Sequence, residues 1–342
     1  MIEEVMTEAV TTEPALVDVG ALRVEFRTRA GWFRAVDDVG FRLSPGRTMA
    51  VLGESGSGKS ATARAMLGVL PATQSRVTAG HIRVDGRDLL SLSEVERRKV
   101  RGADVAMVFQ DALSALNPVL PVWFQVSEGC RRREGLSRRQ ARERAVDLLD
   151  QVGIPDAGLR SGDFPHQFSG GMRQRVMIAM ALSGNPRVLV ADEPTTALDV
   201  TIQAQILDLL HRLQEERRMS LLLITHDMGV VAQVADDVTV MYAGKVVEQG
   251  TADVVLRRPA HPYTRALMRS VPRPEQKGRQ LPVIPGSPPD LGALPPGCAF
   301  RPRCPGAGHD CHRPPDLVEV GPGHLARCHL VSERGDDERA AH

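Results

Sequence analysis

The 342-residue sequence predicts an α/β fold with an added antiparallel β subdomain, a helical subdomain and a small Cys- and Pro-rich C-terminal extension. Three observations carry that expectation. Short apolar runs of buried-strand type alternate with helical stretches. A charged, strand-free stretch interrupts them between Asp111 and Phe168, and 13 of the 24 prolines fall between Val271 and His329, where periodicity ends. Lys plus Arg number 43 against 42 Asp plus Glu, so no global field would hold the chain to nucleic acid or an anionic bilayer.

Taken in order, residues 1–15 form an N-terminal tail. It carries Glu3, Glu4 and Glu8 and lacks a basic segment followed by an apolar one, so no secretory signal is expected. Strand-like runs follow at Ala21 to Phe26 and Thr48 to Leu52, and a helix is expected over Ala61 to Leu70. Val105 to Phe109 is the next strand, and a helical subdomain occupies about 111–175, with Ser137 to Val152 its clearest helix. Strands return at Val188 to Ala191 and Leu221 to Thr225. A hairpin is expected over Val238 to Glu248, turning at Ala243-Gly244-Lys245 and assigned with the N-terminal runs to the antiparallel portion. The periodic domain therefore spans 16–270, the extension 271–332 and a polar, disordered tail 333–342. The longest apolar stretches fall far short of the roughly 20 residues of a membrane-spanning helix, and a cytosolic, reducing setting is expected.

Gly53-Glu54-Ser55-Gly56-Ser57-Gly58-Lys59-Ser60 fits G-x-x-x-x-G-K-[ST] between a strand and a helix, the context of a phosphate loop. Its glycines let backbone N–H groups curl around phosphates at a helix N-terminus, Lys59 reaches the β/γ-phosphates, and the Ser60 hydroxyl can ligate Mg²⁺. Arg187-Val-Leu-Val-Ala-Asp192-Glu193-Pro194 is a buried-type strand ending in two acids, of which Asp192 would support Mg²⁺ and Glu193 would polarise an attacking water.

Phe168-Ser169-Gly170-Gly171-Met172-Arg173-Gln174 resembles the signature motif of ATP-binding cassette (ABC) proteins, with Met172 at the position usually held by Gln. The resemblance covers Leu16 to about Ser270 and implies an ABC-type P-loop NTPase core. It also implies that Ser169, Gly170 and Gly171 face the γ-phosphate held by a second cassette. By the same resemblance Gln110 is the glutamine that touches Mg²⁺ and the water, Asp199, in Ala197-Leu198-Asp199, lies across the dimer interface, and His226 contacts the γ-phosphate. Phe26 is placed to stack on adenine, with Trp32 and Phe33 as competitors. Ala61 departs from the Thr or Ser that many cassettes carry, and Thr62, about 100° further around the helix, would not replace it.

Three further segments, Phe109 to Pro118, Tyr242 to Gly250 and His261-Pro262-Tyr263-Thr264-Arg265-Ala266-Leu267, are similar to the oligopeptide/dipeptide subfamily of bacterial importer ATPases. That similarity implies hydrolysis of ATP with Mg²⁺ at the cytoplasmic face of the inner membrane. It implies two transmembrane permease subunits, a homologous or identical ATPase subunit and, indirectly, a substrate-binding protein as partners, with no nucleic acid. Nickel, opines and oligosaccharides are alternative cargoes. A soluble, non-transport ABC ATPase is the rival class, disfavoured by a single cassette with 131 residues between Ser60 and Asp192.

Cys298, Cys304, Cys311 and Cys328 lie at C-x5-C, C-x6-C and C-x16-C spacings in the extension. Four soft thiolates in a loop-built segment suggest a metal, and the spacings match neither the usual zinc pairs nor the tight ferredoxin runs. The subfamily resemblance favours a 4Fe-4S cluster on these four residues, with zinc as the alternative and His309, His312, His324 and His329 as candidate substitute ligands. Cys130 reads as a plain apolar residue.

Overall fold

A computed structural model describes residues 14–29, 31–196, 198–271 and 283–331. Ala197 and the tails 1–13 and 332–342 lie outside the described residues, and with them the expected C-terminal disorder.

Among the described residues, twelve strands build two sheets. The strands are β1 (Val17–Thr28), β2 (Gly31–Leu43), β3 (Thr48–Leu52), β4 (Ser75–Val84), β5 (Arg87–Asp88), β6 (Val105–Val108), β7 (Val188–Asp192), β8 (Ser220–Thr225), β9 (Asp237–Tyr242), β10 (Lys245–Thr251), β11 (Val318–Gly321) and β12 (His324–Ala326). The smaller sheet is antiparallel in the order β2-β1-β4-β5; the larger runs β11-β12-β10-β9-β3-β8-β7-β6. Its centre, β9-β3-β8-β7-β6, is parallel. Every residue of β3, β6, β7 and β8 is buried, which is why these strands read as unbroken apolar runs.

The antiparallel sheet is longer than its sequence signal. β1 and β2 pair over nearly their whole lengths, with shifts in register between Val19 and Leu22 and again up to Glu25 that break the simple two-residue alternation. β4 and β5 were not expected at all. The hairpin β9-β10 forms with its turn at Ala243 (φ 49°) and Gly244 (φ 80°), as expected for two left-handed turn residues. It belongs to the large sheet rather than to the antiparallel subdomain, because β9 pairs in parallel with β3.

Between 111 and 168 the described structure holds helices and no strand. The helix Arg138–Gln151 starts on a capping box between Ser137 and Gln140 and buries Ala141, Ala145, Leu148 and Leu149 on one stripe. The extension is joined to the core by β12, which adds to β10 through Glu248 opposite Ala326, and by Phe300, which is buried against Tyr242 and Tyr263.

Candidate functional site

β3 delivers the chain into Gly53, and the loop ends where Gly58 caps the helix Lys59–Leu67. Gly58 has φ +101°, and a Cβ there would lie 2.6 Å from the Ala35 carbonyl oxygen, so only glycine lets the loop turn this close to β2. Lys59 is buried and its Nζ donates to the carbonyls of Gly53 (2.8 Å) and Glu54 (2.9 Å). Burial lowers its pKa, opposed by Glu193, Asp192 and Glu54 nearby. The ammonium is thus held over the loop by neutral carbonyls that an anionic ligand can displace.

Asp192 ends β7 and accepts from the Ser60 hydroxyl at 2.9 Å. Desolvation pushes its carboxyl pKa up, and its Oδ2 is buried with no hydrogen-bond partner. A hydroxyl and a half-satisfied buried carboxylate beside a phosphate loop are the hard oxygen donors that Mg²⁺ takes. These residues fit that ion.

Glu193 sits at φ +47°, an uncommon conformation for a residue with a side chain, fixed by its N–H donating to the Ile224 carbonyl at 2.9 Å. This turn swings its carboxylate out of the strand. There it accepts from Gln110 Nε2 (3.1 Å) and Thr196 Oγ1 (2.8 Å) and faces His226 Nδ1 at 3.4 Å. Gln110 follows the end of β6 and His226 the end of β8, so three neighbouring strand ends bring the three side chains together.

These groups line one cavity of ≈ 840 Å³ with Gly53, Glu54, Ser55, Gly56, Ser57, Gly58, Lys59, Ser60 and Ala61. Phe26 and Phe33 form its apolar end, their rings stacked with centroids 6.2 Å apart. Trp32 is not among the lining residues and carries Arg76 over its ring at 4.2 Å. Thr62 turns its hydroxyl back to the Gly58 carbonyl at 3.0 Å and does not replace the missing hydroxyl of Ala61.

Ser169, Gly170 and Gly171 are not brought to this cavity. Ser169 caps the helix Gly170–Leu182, and Ser169 and Gly170 are exposed, so this helix N-terminus opens to the surface away from the cavity. Gly171 packs tightly, since a Cβ would lie 2.8 Å from Ile202 Cγ2. The neighbouring Asp199 is exposed and caps the helix Val200–Arg217 by accepting from the Ile202 N–H at 2.9 Å.

The four C-terminal cysteines share one neighbourhood. The Cys298 N–H donates to the Cys311 carbonyl at 3.0 Å, and burial pushes the Cys328 thiol up to about 11, with the three other thiols adding to the rise. Yet among the described residues no three His, Cys, Asp or Glu side chains converge as a ready metal cage. Two of the expected substitute histidines are engaged elsewhere: His324 faces Glu248 at 2.8 Å and His312 faces Arg301 at 2.6 Å. Cys130 is fully buried in the helical subdomain.

Residues from beyond 260 also reach the phosphate loop, which sequence reasoning missed. Tyr263, Leu267, Leu291 and Arg303 approach it from the C-terminal side. Of these, Tyr263 and Leu267 carried a signal, as part of the segment His261 to Leu267.

A phosphate loop facing an Asp-Glu pair at the ends of parallel strands defines a nucleotide site of the P-loop class. Residues 36–196 match the family described as ABC transporter, and 247–311 match the oligopeptide/dipeptide transporter C-terminal region. The chain is 49% identical over 329 residues to the dipeptide transport ATP-binding protein DppD of Bacillus subtilis (strain 168), covering 96% of each. It is 49% identical over 323 residues to a putative peptide import ATP-binding protein of Brucella abortus (strain 2308), covering 94% of this chain and 97% of the relative. Among solved structures, a dimeric ATP-binding cassette in a post-hydrolysis state with ADP and Pi superposes with a TM-score of 0.62 at 27% identity. That match covers 69% of this chain and 98% of the cassette. The cbiO1 subunit of the cbiONQ transporter of Clostridium perfringens gives 0.60 at 29% identity, covering 72% and 97%. The chain belongs to the ABC transporter family, in the branch that carries the oligopeptide/dipeptide C-terminal region.

Proposed function

We propose that the chain is the ATP-hydrolysing subunit that powers import of di- and oligopeptides through separate permease subunits at the cytoplasmic face of the inner membrane. The observation that carries this reading is the convergence of Gln110, Glu193 and His226 over an intact phosphate loop, in a chain 49% identical to a dipeptide transport ATP-binding protein. No helix among the described residues is long and apolar enough to cross a membrane, which accords with docking on a separate permease.

In this reading the triphosphate displaces the Gly53 and Glu54 carbonyls from Lys59, whose ammonium then faces the β/γ-phosphates. Ser60, Asp192 and Gln110 would hold Mg²⁺, whose chemistry is to neutralise charge on the phosphates. Glu193 accepts a proton from the attacking water, and Gln110 and His226 orient that water against the γ-phosphate. Phe26 stacks on the adenine. The exposed Ser169-Gly170-Gly171 helix end serves the nucleotide of a second, identical or homologous copy, with Asp199 at the interface, and a separate binding protein presents the peptide. On donor chemistry alone, Cys298, Cys304, Cys311 and Cys328 are proposed to hold a 4Fe-4S cluster, with zinc as the alternative.

Reconstitution with the permease and binding protein tests the transport role. ATP-driven uptake of labelled dipeptides into vesicles is expected; uptake of nickel or oligosaccharide instead would reassign the cargo, and hydrolysis that no permease stimulates would favour a non-transport ATPase.

A further inference from the structure

Glu54 is an anion inside a loop built to receive an anion. It belongs to the phosphate loop, lines the same cavity as Lys59, and its charge acts on the Lys59 ammonium. Uncompensated, that carboxylate would repel a triphosphate at short range.

All three handles of Glu54 are held, two of them by residues from beyond position 260. Its carboxylate receives both arms of the Arg303 guanidinium, Nη1 at 2.6 Å and Nη2 at 2.9 Å. Its N–H donates to the Tyr263 hydroxyl at 2.8 Å, and its carbonyl accepts from Lys59. Arg303 itself is buried, with Nε donating to the Pro285 carbonyl at 2.9 Å and its Cζ 5.9 Å from the ring centres of Tyr242 and Phe300. A guanidinium fixed by packing and by a bidentate pair has one orientation, and it faces the loop.

We propose that Arg303, supplied by the C-terminal extension, is a positioning residue of the nucleotide site: it neutralises Glu54 and, with Tyr263, holds the phosphate loop in the shape that receives the triphosphate. The extension is thereby part of the ATP site and acts on nucleotide affinity rather than on the chemical step. This inference rests on the nucleotide-site reading above.

The test uses the full-length chain, with MgATP affinity measured by calorimetry, KM and kcat by phosphate release, and folding by thermal unfolding. Arg303→Met is expected to weaken MgATP binding and raise KM about tenfold, with kcat within about twofold of the parent. Removing the stranded charge as well, in Arg303→Met with Glu54→Gln, is expected to restore affinity to within about threefold, a rescue that a merely structural arginine would not show. Glu54→Gln alone keeps the side chain's shape, tightens MgATP binding about threefold and stays informative if Arg303→Met fails to fold. Unchanged affinity in Arg303→Met, absence of rescue, or weaker binding in Glu54→Gln overturns the inference. If the parent chain does not bind MgATP, or Lys59→Ala binds it equally well, the nucleotide-site reading itself fails.

Discussion

Replacing Glu193 by Gln isolates the proposed proton acceptor, because the amide keeps the size of the carboxylate and leaves its neighbours able to donate. Gln110 Nε2 at 3.1 Å and Thr196 Oγ1 at 2.8 Å can both donate to the new amide oxygen, and the φ of +47° at residue 193 is a backbone property fixed by the bond to Ile224. What the variant loses is the base. General-base catalysis contributes roughly 10²- to 10⁴-fold, which is about 3–5 kcal/mol on the barrier. In the proposed site MgATP is bound by the loop, Lys59 and Ser60, none of which bonds to Glu193, so affinity should change by no more than a few-fold. Loss of an anion near Lys59 removes one of the groups that oppose the burial-lowered pKa of the ammonium. Phosphate release under single-turnover conditions, beside MgATP binding measured separately, decides the matter. Hydrolysis within about tenfold of the parent rate, in a folded variant, would refute Glu193 as the base.

Gly58→Ala forces a side chain into φ +101° with its Cβ 2.6 Å from the Ala35 carbonyl oxygen, so the unfolding temperature should fall and MgATP should no longer raise it. Asp192→Asn should abolish the gain in ATP affinity that Mg²⁺ provides while leaving Mg²⁺-free binding nearly unchanged, as read by titration with and without the ion. His261 is buried, and its Nδ1 accepts from the Tyr263 N–H at 3.0 Å; burial lowers its pKa to about 4. A depressed histidine contributes stability that is complete above about pH 6.5 and is lost as pH falls toward 4, with a slope of up to about 1.4 kcal/mol per pH unit, and His261→Asn should flatten that slope in pH-dependent urea unfolding. For the four thiols, anaerobic purification should yield about four iron and four sulfide per chain, lost in Cys304→Ser and Cys311→Ser. Stoichiometric zinc without sulfide would make the extension a zinc module, and neither metal would remove the cluster proposal.

The parts of this protein that sequence reveals are those whose causes are local. β3, β6, β7 and β8 are buried along their whole lengths, so their apolar runs announce them, and a phosphate loop must carry glycine where φ is positive, so its spacing is legible. Gln110, Glu193 and His226 could be found because each lies within two residues of the end of such a strand. β4 alternates half-buried and exposed residues but shifts phase next to Gly80, where its pairing with β1 is irregular, and this break hides the strand from a simple two-residue pattern. The extension shows the same limit more sharply. Its prolines mark it as a separate segment, yet β12 completes the sheet through β10, and Arg303 meets Glu54 across 249 residues of chain. Arginine next to a cysteine in a proline-rich run looks like an ordinary solvated charge. Only the fold, by burying its guanidinium between Tyr242, Phe300 and the phosphate loop, turns it into the counter-charge of the nucleotide site.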